Sequence, residues 1–122
     1  MKLIITDTNW ADEMDVWGFE VVSDEVFALY TRVIEEAFKF EDNIVVYIGT
    51  NDEIEINKNN YLRHFEIKDV TKEQIESLNT IFGPDNKGLN FLERIVETCF
   101  YRIEDEDQEL FYKLDAEVEA LL

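Results

Sequence analysis

The side chains of this sequence that could do chemistry are one histidine, one cysteine and 29 carboxylates. His64 is the one imidazole that could act as a general base, but a lone histidine near the start of a strand is more typical of a packing or surface residue. Cys99 falls between Ile95 and Ile103 on an apolar helical stripe, which is typical of a buried, unreactive thiol. Neither residue predicts a catalytic site, and we expect a protein without enzymatic activity.

Metal and cofactor sites are not predicted either. One thiol and one imidazole cannot provide the four Cys or His ligands of a structural zinc site. The calcium loop of an EF-hand needs Gly at its sixth position, where a loop from Asp7 has Asp12 and a loop from Asp105 has Leu110. No Gly-rich phosphate loop or dinucleotide fingerprint occurs in the sequence. We expect no cofactor, and only adventitious divalent-cation binding by residues 104–107 is left open.

The charge balance excludes several classes of partner. Acidic residues outnumber basic ones by 29 to 11 in 122 residues, a formal net charge of −18. Phosphate backbones and anionic membranes attract Lys and Arg, so we expect no direct binding to nucleic acid or to membrane surfaces. The chain is nonetheless 46% hydrophobic, whereas charged chains that lack apolar residues stay disordered. The charge therefore belongs to the surface of a folded protein.

Two stretches concentrate this charge. Residues 104–109 hold five carboxylates in six positions, and residues 12–15 hold three carboxylates between Trp10 and Trp17. Aromatic residues among acids can provide both an anchor and complementary charge for a basic partner. In the alternative interpretation, Trp17 packs in the core and Trp10 closes one end of the sheet, while residues 104–109 are a solvated connection in which Asp105-x-x-Gln108 caps the last helix.

Carboxylates also recur at helical spacing. Glu93 and Glu97 are four residues apart, as are Asp115 and Glu119, and such pairs have Cβ atoms about 5–6 Å apart, comparable with neighbouring phosphates on a nucleic-acid strand. Like-charged pairs cost a helix a few tenths of a kcal/mol each, so we interpret them as serving attraction to a cationic cleft. The residues predicted to bind a partner are Asp12, Glu13, Asp15, Glu93, Glu97, Glu104, Asp105, Glu106, Asp107 and Glu109.

These residues must be positioned by helices and strands, and the hydrophobic pattern of the sequence predicts that these elements form an α+β fold. Short β-branched runs and period-two alternation predict an antiparallel sheet of four to five strands in residues 1–70 with one crossover helix. A capping box at Thr71 and Gln74 opens a helical second half, whose helices we expect to pack on one face of the sheet in a single acidic α+β domain of residues 1–122. The predicted strands are 2–6, 16–22, 44–48, 53–57 as the second arm of a hairpin, and 66–70. Residues 61–65 are left open between a helical turn and a strand. The predicted helices are 24–39, 71–82, 89–103 and 110–121.

The sequence also predicts a compartment. A single cysteine cannot form an intramolecular disulfide, which favours a reducing environment. The apolar residues that follow Met1 and Lys2 are fewer than a secretory signal needs, and the longest apolar run, residues 44–48, is far shorter than the roughly 20 residues of a transmembrane helix. We expect a soluble cytoplasmic protein.

In composition and size the chain resembles small acidic inhibitors, namely phage anti-restriction and anti-CRISPR proteins that imitate DNA and immunity proteins that block toxin nucleases. The resemblance is one of charge and length. It implies a phage or bacterial inhibitor that binds a basic protein, either a nuclease or another nucleic-acid-binding enzyme, and displaces its substrate. The alternatives are a small carboxylate- or metal-dependent hydrolase, an acidic homodimeric structural subunit, and the general acidity of proteins from a salt-adapted organism.

Overall fold

The computed structural model describes residues 1–11, 14–48, 52–82 and 91–121. These residues form five strands, four α-helices and one 3-10 turn, and none of these helices is long and apolar enough to cross a membrane. The α+β class predicted from the sequence is confirmed. The strands are β1 (Lys2–Ala11), β2 (Met14–Val22), β3 (Asn43–Ile48), β4 (Asp52–Asn57) and β5 (Phe65–Asp69), the helices are α1 (Asp24–Ala37), α2 (Lys72–Phe82), α3 (Phe91–Glu106) and α4 (Gln108–Leu121), and the 3-10 turn spans Tyr61–His64.

The chain forms two compact units, each assembled from two separate stretches of sequence. The first unit contains Met1–Asp24 and Leu62–Asn90, and the second contains Glu25–Tyr61 and Phe91–Leu122. The second unit therefore holds α1, α3, α4 and the β3–β4 pair. The single domain expected from the sequence stays a prediction.

In the first unit, β1 is the central strand of a three-stranded antiparallel sheet in the order β2-β1-β5. Ile4 is fully buried and lies opposite Glu20 on one side and Ile67 on the other. Lys2 binds Asp69 at the end of the sheet, and this hydrogen bond holds the pKa of the Asp69 carboxyl below its usual value. The apolar start of β1 thus sits at the centre of the sheet, as its β-branched composition predicts.

The β1–β2 ladder is longer than the sequence predicts. β1 pairs with β2 without a break up to Asn9, which lies opposite Asp15. The polar residues 7–9, expected to end the strand, therefore lie within it. The register then shifts by one residue, which makes Trp10 the extra residue of a β-bulge. Polar side chains do not end a strand whose backbone groups find partners on a neighbouring strand, because the ladder uses the main chain.

The capping box predicted at the start of α2 is confirmed. The backbone N–H of Thr71 donates to Oε1 of Gln74 over 2.8 Å, and the backbone N–H of Gln74 donates to Oγ1 of Thr71 over 3.3 Å. Two of the four N–H groups that a helix N-terminus leaves unpaired are satisfied by this kind of reciprocal contact. The predicted stop at Gly83 and Pro84 lies outside the described residues.

In the second unit, β3 and β4 form a two-stranded antiparallel sheet, and α3 packs on β3. Ile44 lies opposite Ile56 and both are fully buried, whereas Tyr47 on the other face of β3 is 60% exposed. One face of this sheet therefore joins the core and the other meets solvent. The helices complete the core with Leu29, Val33, Ile34 and Ala37 from α1, Leu92, Ile95, Val96, Cys99 and Ile103 from α3, and Leu114 from α4.

The five strands form two sheets instead of the single sheet expected from the sequence. β5 follows β4 along the chain but pairs with β1. Alternation shows which face of a strand is buried, but it does not show which strand is its neighbour. The predicted crossover helix, α1, consequently connects the two sheets. The strand predicted at 66–70 is confirmed as β5, and the segment left open between a helical turn and a strand forms the 3-10 turn Tyr61–His64.

Candidate acidic interface

Three of the predicted partner-binding carboxylates lie along one side of α3. Glu93 and Glu97 are exposed, and Glu104 is partly exposed. At 3.6 residues per turn these positions fall within about 40° of one another around the helix axis, along a stripe roughly 16 Å long. The opposite side of α3 carries fully buried residues such as Ile95 and Cys99. The helix is therefore amphipathic, and its polar side presents a line of carboxylates.

The acidic segment, residues 104–109, contains the junction between α3 and α4. The backbone N–H of Asp107 donates to the carbonyl of Ile103 over 2.7 Å, which closes the last turn of α3. The side chain of Asp107 then accepts from the backbone N–H of Leu110 over 3.1 Å, which caps α4. The prediction that Asp105 caps the last helix is wrong. Asp105 lies inside α3, which continues to Glu106 and ends where the N–H of Asp107 bonds to the carbonyl of Ile103.

We expect the cap to be measurable as stability. Replacing Asp107→Ala removes the oxygen that accepts from the N–H of Leu110, and loss of such a cap costs about 0.5–2 kcal/mol. Urea unfolding followed by circular dichroism should show this decrease. The control Asp107→Ser removes the charge but keeps a capping oxygen, so its stability should stay within about 0.5 kcal/mol of the parent protein. Equal losses for both variants would contradict a capping role.

Of the other carboxylates in the acidic segment, the three at the end of α3 are placed where they do not help folding. Glu104, Asp105 and Glu106 occupy the last turn of α3, which contains no basic residue. Negative charge at a helix C-terminus opposes the helix dipole by roughly 0.3–1 kcal/mol per residue. Glu109, in the first turn of α4, has the favourable placement. Folding stability alone therefore does not explain three acids at the end of α3.

The second unit carries most of the excess charge. Its stretches of sequence hold 18 acidic against 6 basic residues, a net of −12 out of the −18 of the whole chain. Ion pairs among its described residues include Arg32 with Glu117 at 2.8 Å and Arg102 with Glu41 at 3.2 Å. A third pair joins Lys39 to Glu36. The carboxylates in these three pairs lie outside the predicted partner-binding set.

An apolar groove runs between α3 and α4, with Tyr30 of α1 contributing to it. We call this depression, of about 330 Å³, the α3–α4 groove. Phe100 and Phe111 face each other edge to face in it, with ring centroids 6.0 Å apart. The remaining apolar lining comes from Val96 and Val118, and the polar lining is Glu93, Glu97, Asp115 and the tyrosines Tyr30 and Tyr101. The charged groups that line it are therefore all negative.

A second depression, of about 360 Å³, lies between β3 and α3 and has mixed charge. Arg94 and Arg102 line it together with Glu97 and Asp105. Because the basic and acidic side chains there offset one another, this depression offers little net attraction to a basic partner. Asp105 thus lies on the mixed-charge side of α3, whereas Glu97 borders both depressions.

The predicted surface around residues 12–15 is only partly described. Asp12 and Glu13 lie outside the described residues. Asp15 lies in β2, opposite Asn9 and next to the bulge at Trp10. The backbone therefore places Asp15 beside an irregularity of the sheet, and a role of this segment in binding stays a prediction.

No group of three or more His, Cys, Asp or Glu side chains in the described part of the chain could hold a metal ion. His64 ends the 3-10 turn. Tyr61, at the start of this turn, is buried. This burial and, to a smaller extent, the negative charge of Glu35 raise the pKa of its hydroxyl.

Cys99 lies in the core of the second unit, and burial raises the pKa of its thiol to about 12. The thiolate is the reactive form, so we expect native protein at pH 8 to react with iodoacetamide more than 100-fold more slowly than protein unfolded in urea. Because the folded state holds the thiol proton more tightly, this group favours folding below pH 9 and loses that contribution as the pH rises towards 12. Rapid labelling of the native protein would contradict burial of the thiol.

The sequence did not indicate the α3–α4 groove. Asp115 lines it but is absent from the predicted partner-binding set, although its spacing from Glu119 had marked it as half of a like-charged pair. The signal that could have located the groove is the aromatic pair Phe100 and Phe111, which continues the apolar stripes of two successive helices.

Fold and surface together define a small acidic α+β protein whose negative charge is greatest around α3 and α4. The chain matches no protein-family model, and comparisons with curated proteins and with solved structures find no match.

Proposed function

We propose that this protein is a non-enzymatic binding protein that occupies the nucleic-acid-binding site of a basic partner. The observation that carries the proposal is the placement of Glu104 and Glu106 in the last turn of α3, where their charge opposes the helix dipole and where, unlike Asp105, they do not line the mixed-charge depression. These charges weaken the helix and fill no core, so folding stability does not explain them. Attraction to a cationic surface is the simplest such purpose.

The spacing of the carboxylates supports mimicry of a nucleic-acid backbone. Glu93 and Glu97 stand one helical turn apart on exposed positions, so their Cβ atoms are about 5–6 Å apart. Lys and Arg groups of a partner that neutralise successive phosphates of a nucleic acid would find successive carboxylates of α3 at a similar spacing. The partner class is therefore a nuclease or another nucleic-acid-binding enzyme of the cytoplasm, and the proposed protein competes with the substrate of that enzyme for the same basic groups.

Competition with DNA tests the proposal. The protein is immobilised and exposed at about 50 mM salt to an extract of the organism that encodes it, and bound proteins are then released with short duplex DNA. We expect release of a basic nucleic-acid-binding protein by DNA, and poor release by an equal concentration of neutral dextran. Proteins that elute only when the immobilised protein is unfolded, and that bind no nucleic acid, would contradict the proposal.

A further inference from the structure

We propose that the α3–α4 groove takes up a bulky apolar side chain from a Lys- and Arg-rich segment of the partner protein. The inference rests on the proposed function and adds a specific docking point to it. Electrostatic mimicry alone needs only exposed carboxylates. The groove adds an apolar contact that a nucleic-acid backbone does not offer, and it would let the protein distinguish its partner from other basic proteins.

The floor of the groove suits an apolar anchor. Phe100 and Phe111 are only partly buried, although their rings contact each other edge to face. Val118 is also partly buried, while Val96 beneath them is 4% exposed. Covering such partly exposed apolar surface with a partner side chain is favourable because it removes apolar area from water. Anchors of this kind are the residues that dominate the energetics of protein interfaces.

The rim of the groove determines the charge of the occupant. Glu93 and Glu97 from α3 and Asp115 from α4 surround the apolar floor. Lys or Arg groups on both sides of an apolar anchor would meet carboxylates on both helices. A second copy of this chain is a poor occupant, because it carries a net charge of −18 and would bring like charges together. A basic segment with one bulky apolar residue would place that residue on the apolar floor of the groove and its Lys or Arg groups beside the carboxylates of the rim.

Defined peptides test this inference directly. The probes are a fluorescein-labelled helical peptide of Lys and Leu with an apolar face, a Lys and Ser peptide of equal length and charge, and a Glu and Leu peptide with the same apolar face. At about 50 mM salt we expect the Lys and Leu peptide to bind about tenfold more tightly than the Lys and Ser peptide. The Glu and Leu peptide should not bind, and methyl resonances of Val96 and Val118 should shift only with the Lys and Leu peptide.

A pair of charge-reversal variants locates the binding. Asp115 lines the groove, whereas Glu119 lies one turn further along α4 and is exposed outside it. Asp115→Lys should weaken binding of the Lys and Leu peptide about tenfold, and Glu119→Lys, with the same change in net charge, should weaken it less than threefold. Asp115→Asn, a milder change at the same position, should weaken it about threefold and provides a second variant should the lysine disturb folding.

The outcomes separate the inference from the proposed function. Equal binding of the two Lys peptides, or equal effects of Asp115→Lys and Glu119→Lys, would overturn the groove as a docking point. Release of a nucleic-acid-binding partner by DNA would still support the proposed function in that case. Binding of the Glu and Leu peptide as tightly as the Lys and Leu peptide would overturn the charge selectivity of the groove.

Discussion

Removing four charges from the acidic segment should weaken binding to the basic partner by about 10- to 100-fold at low salt. The variant carries Glu104→Gln, Asp105→Asn, Glu106→Gln and Glu109→Gln, and it keeps Asp107 because that residue caps α4. Exposed ion pairs contribute roughly 0.2–1 kcal/mol each, and about 1.4 kcal/mol corresponds to tenfold in affinity. Binding is measured by titration calorimetry with the partner recovered through DNA competition.

A charge-matched variant separates a local effect from one of total charge. Four exposed carboxylates outside α3 and α4 are neutralised in it, so that both variants change the net charge from −18 to −14. We expect it to lose less than threefold in affinity. An equal loss in both variants would contradict a localised interface. The control substitutions are Glu53→Gln, Glu55→Gln, Glu73→Gln and Glu76→Gln.

The four-charge variant of the acidic segment should also fold at least as well as the parent protein. Three of its substitutions remove charges that oppose the dipole of α3 at its C-terminus. Urea unfolding should therefore give an equal or slightly higher free energy of unfolding. A loss of affinity accompanied by a clear loss of stability would show that the acids act through the fold and would remove the main support for the proposed function.

The largest effect on stability is expected from Leu114→Ala. Leu114 is fully buried and is the core residue that α4 contributes among the described residues. Truncating a buried leucine removes its transfer free energy and leaves a cavity, at a cost of about 2–5 kcal/mol. Equilibrium unfolding in urea measures this cost.

Tyr112 provides the matched control on the same helix. Its side chain is 66% exposed, and substitutions at such surface positions usually change the free energy of unfolding by less than about 0.5 kcal/mol. Tyr112→Phe, which keeps the ring that contacts Phe111 at a centroid distance of 5.5 Å, should therefore have the same free energy of unfolding as the parent protein. If Leu114→Ala were equally neutral, α4 would not be packed on the core of the second unit as described.

The helices were predictable because their signals are local. Ser23 precedes α1, and the apolar stripe through Val33 and Ala37 places the end of this helix within two residues of the predicted one. The capping box of α2 needs only Thr71 and Gln74, three residues apart. Patterns of this kind depend on neighbours in the chain, and a single sequence displays them.

The arrangement of the strands was not predictable in the same way. Pairing of β5 with β1 joins residues 59 to 67 positions apart, as in the contact of Lys2 with Asp69. The composition of β5 indicates a strand, but any of the other strands could have been its neighbour. The division into two sheets depends on that choice, so it became visible only in the structure.

The candidate site was likewise predictable only in part. The acids of α3 and α4 could be selected from spacing and composition, and the structure places Glu93, Glu97 and Glu104 along one side of α3. The α3–α4 groove depends on how two helices meet, and spacing within each helix does not reveal it. The cap at Asp107 was misplaced by two residues because α3 continues to Glu106, three residues beyond the last residue of its apolar stripe, and the spacing of Asp105 and Gln108 does not show this.

The dependence of partner affinity on salt tests the central claim most directly. If the carboxylates of α3 and α4 replace phosphates on Lys and Arg groups of the partner, the affinity should fall steeply between about 50 and 200 mM salt. Proteins that contact six or more phosphates of a nucleic acid lose about 10³-fold or more in affinity over this range. The four-charge variant of the acidic segment should show a shallower slope than the charge-matched control. An affinity that stays constant across this range would contradict electrostatic mimicry.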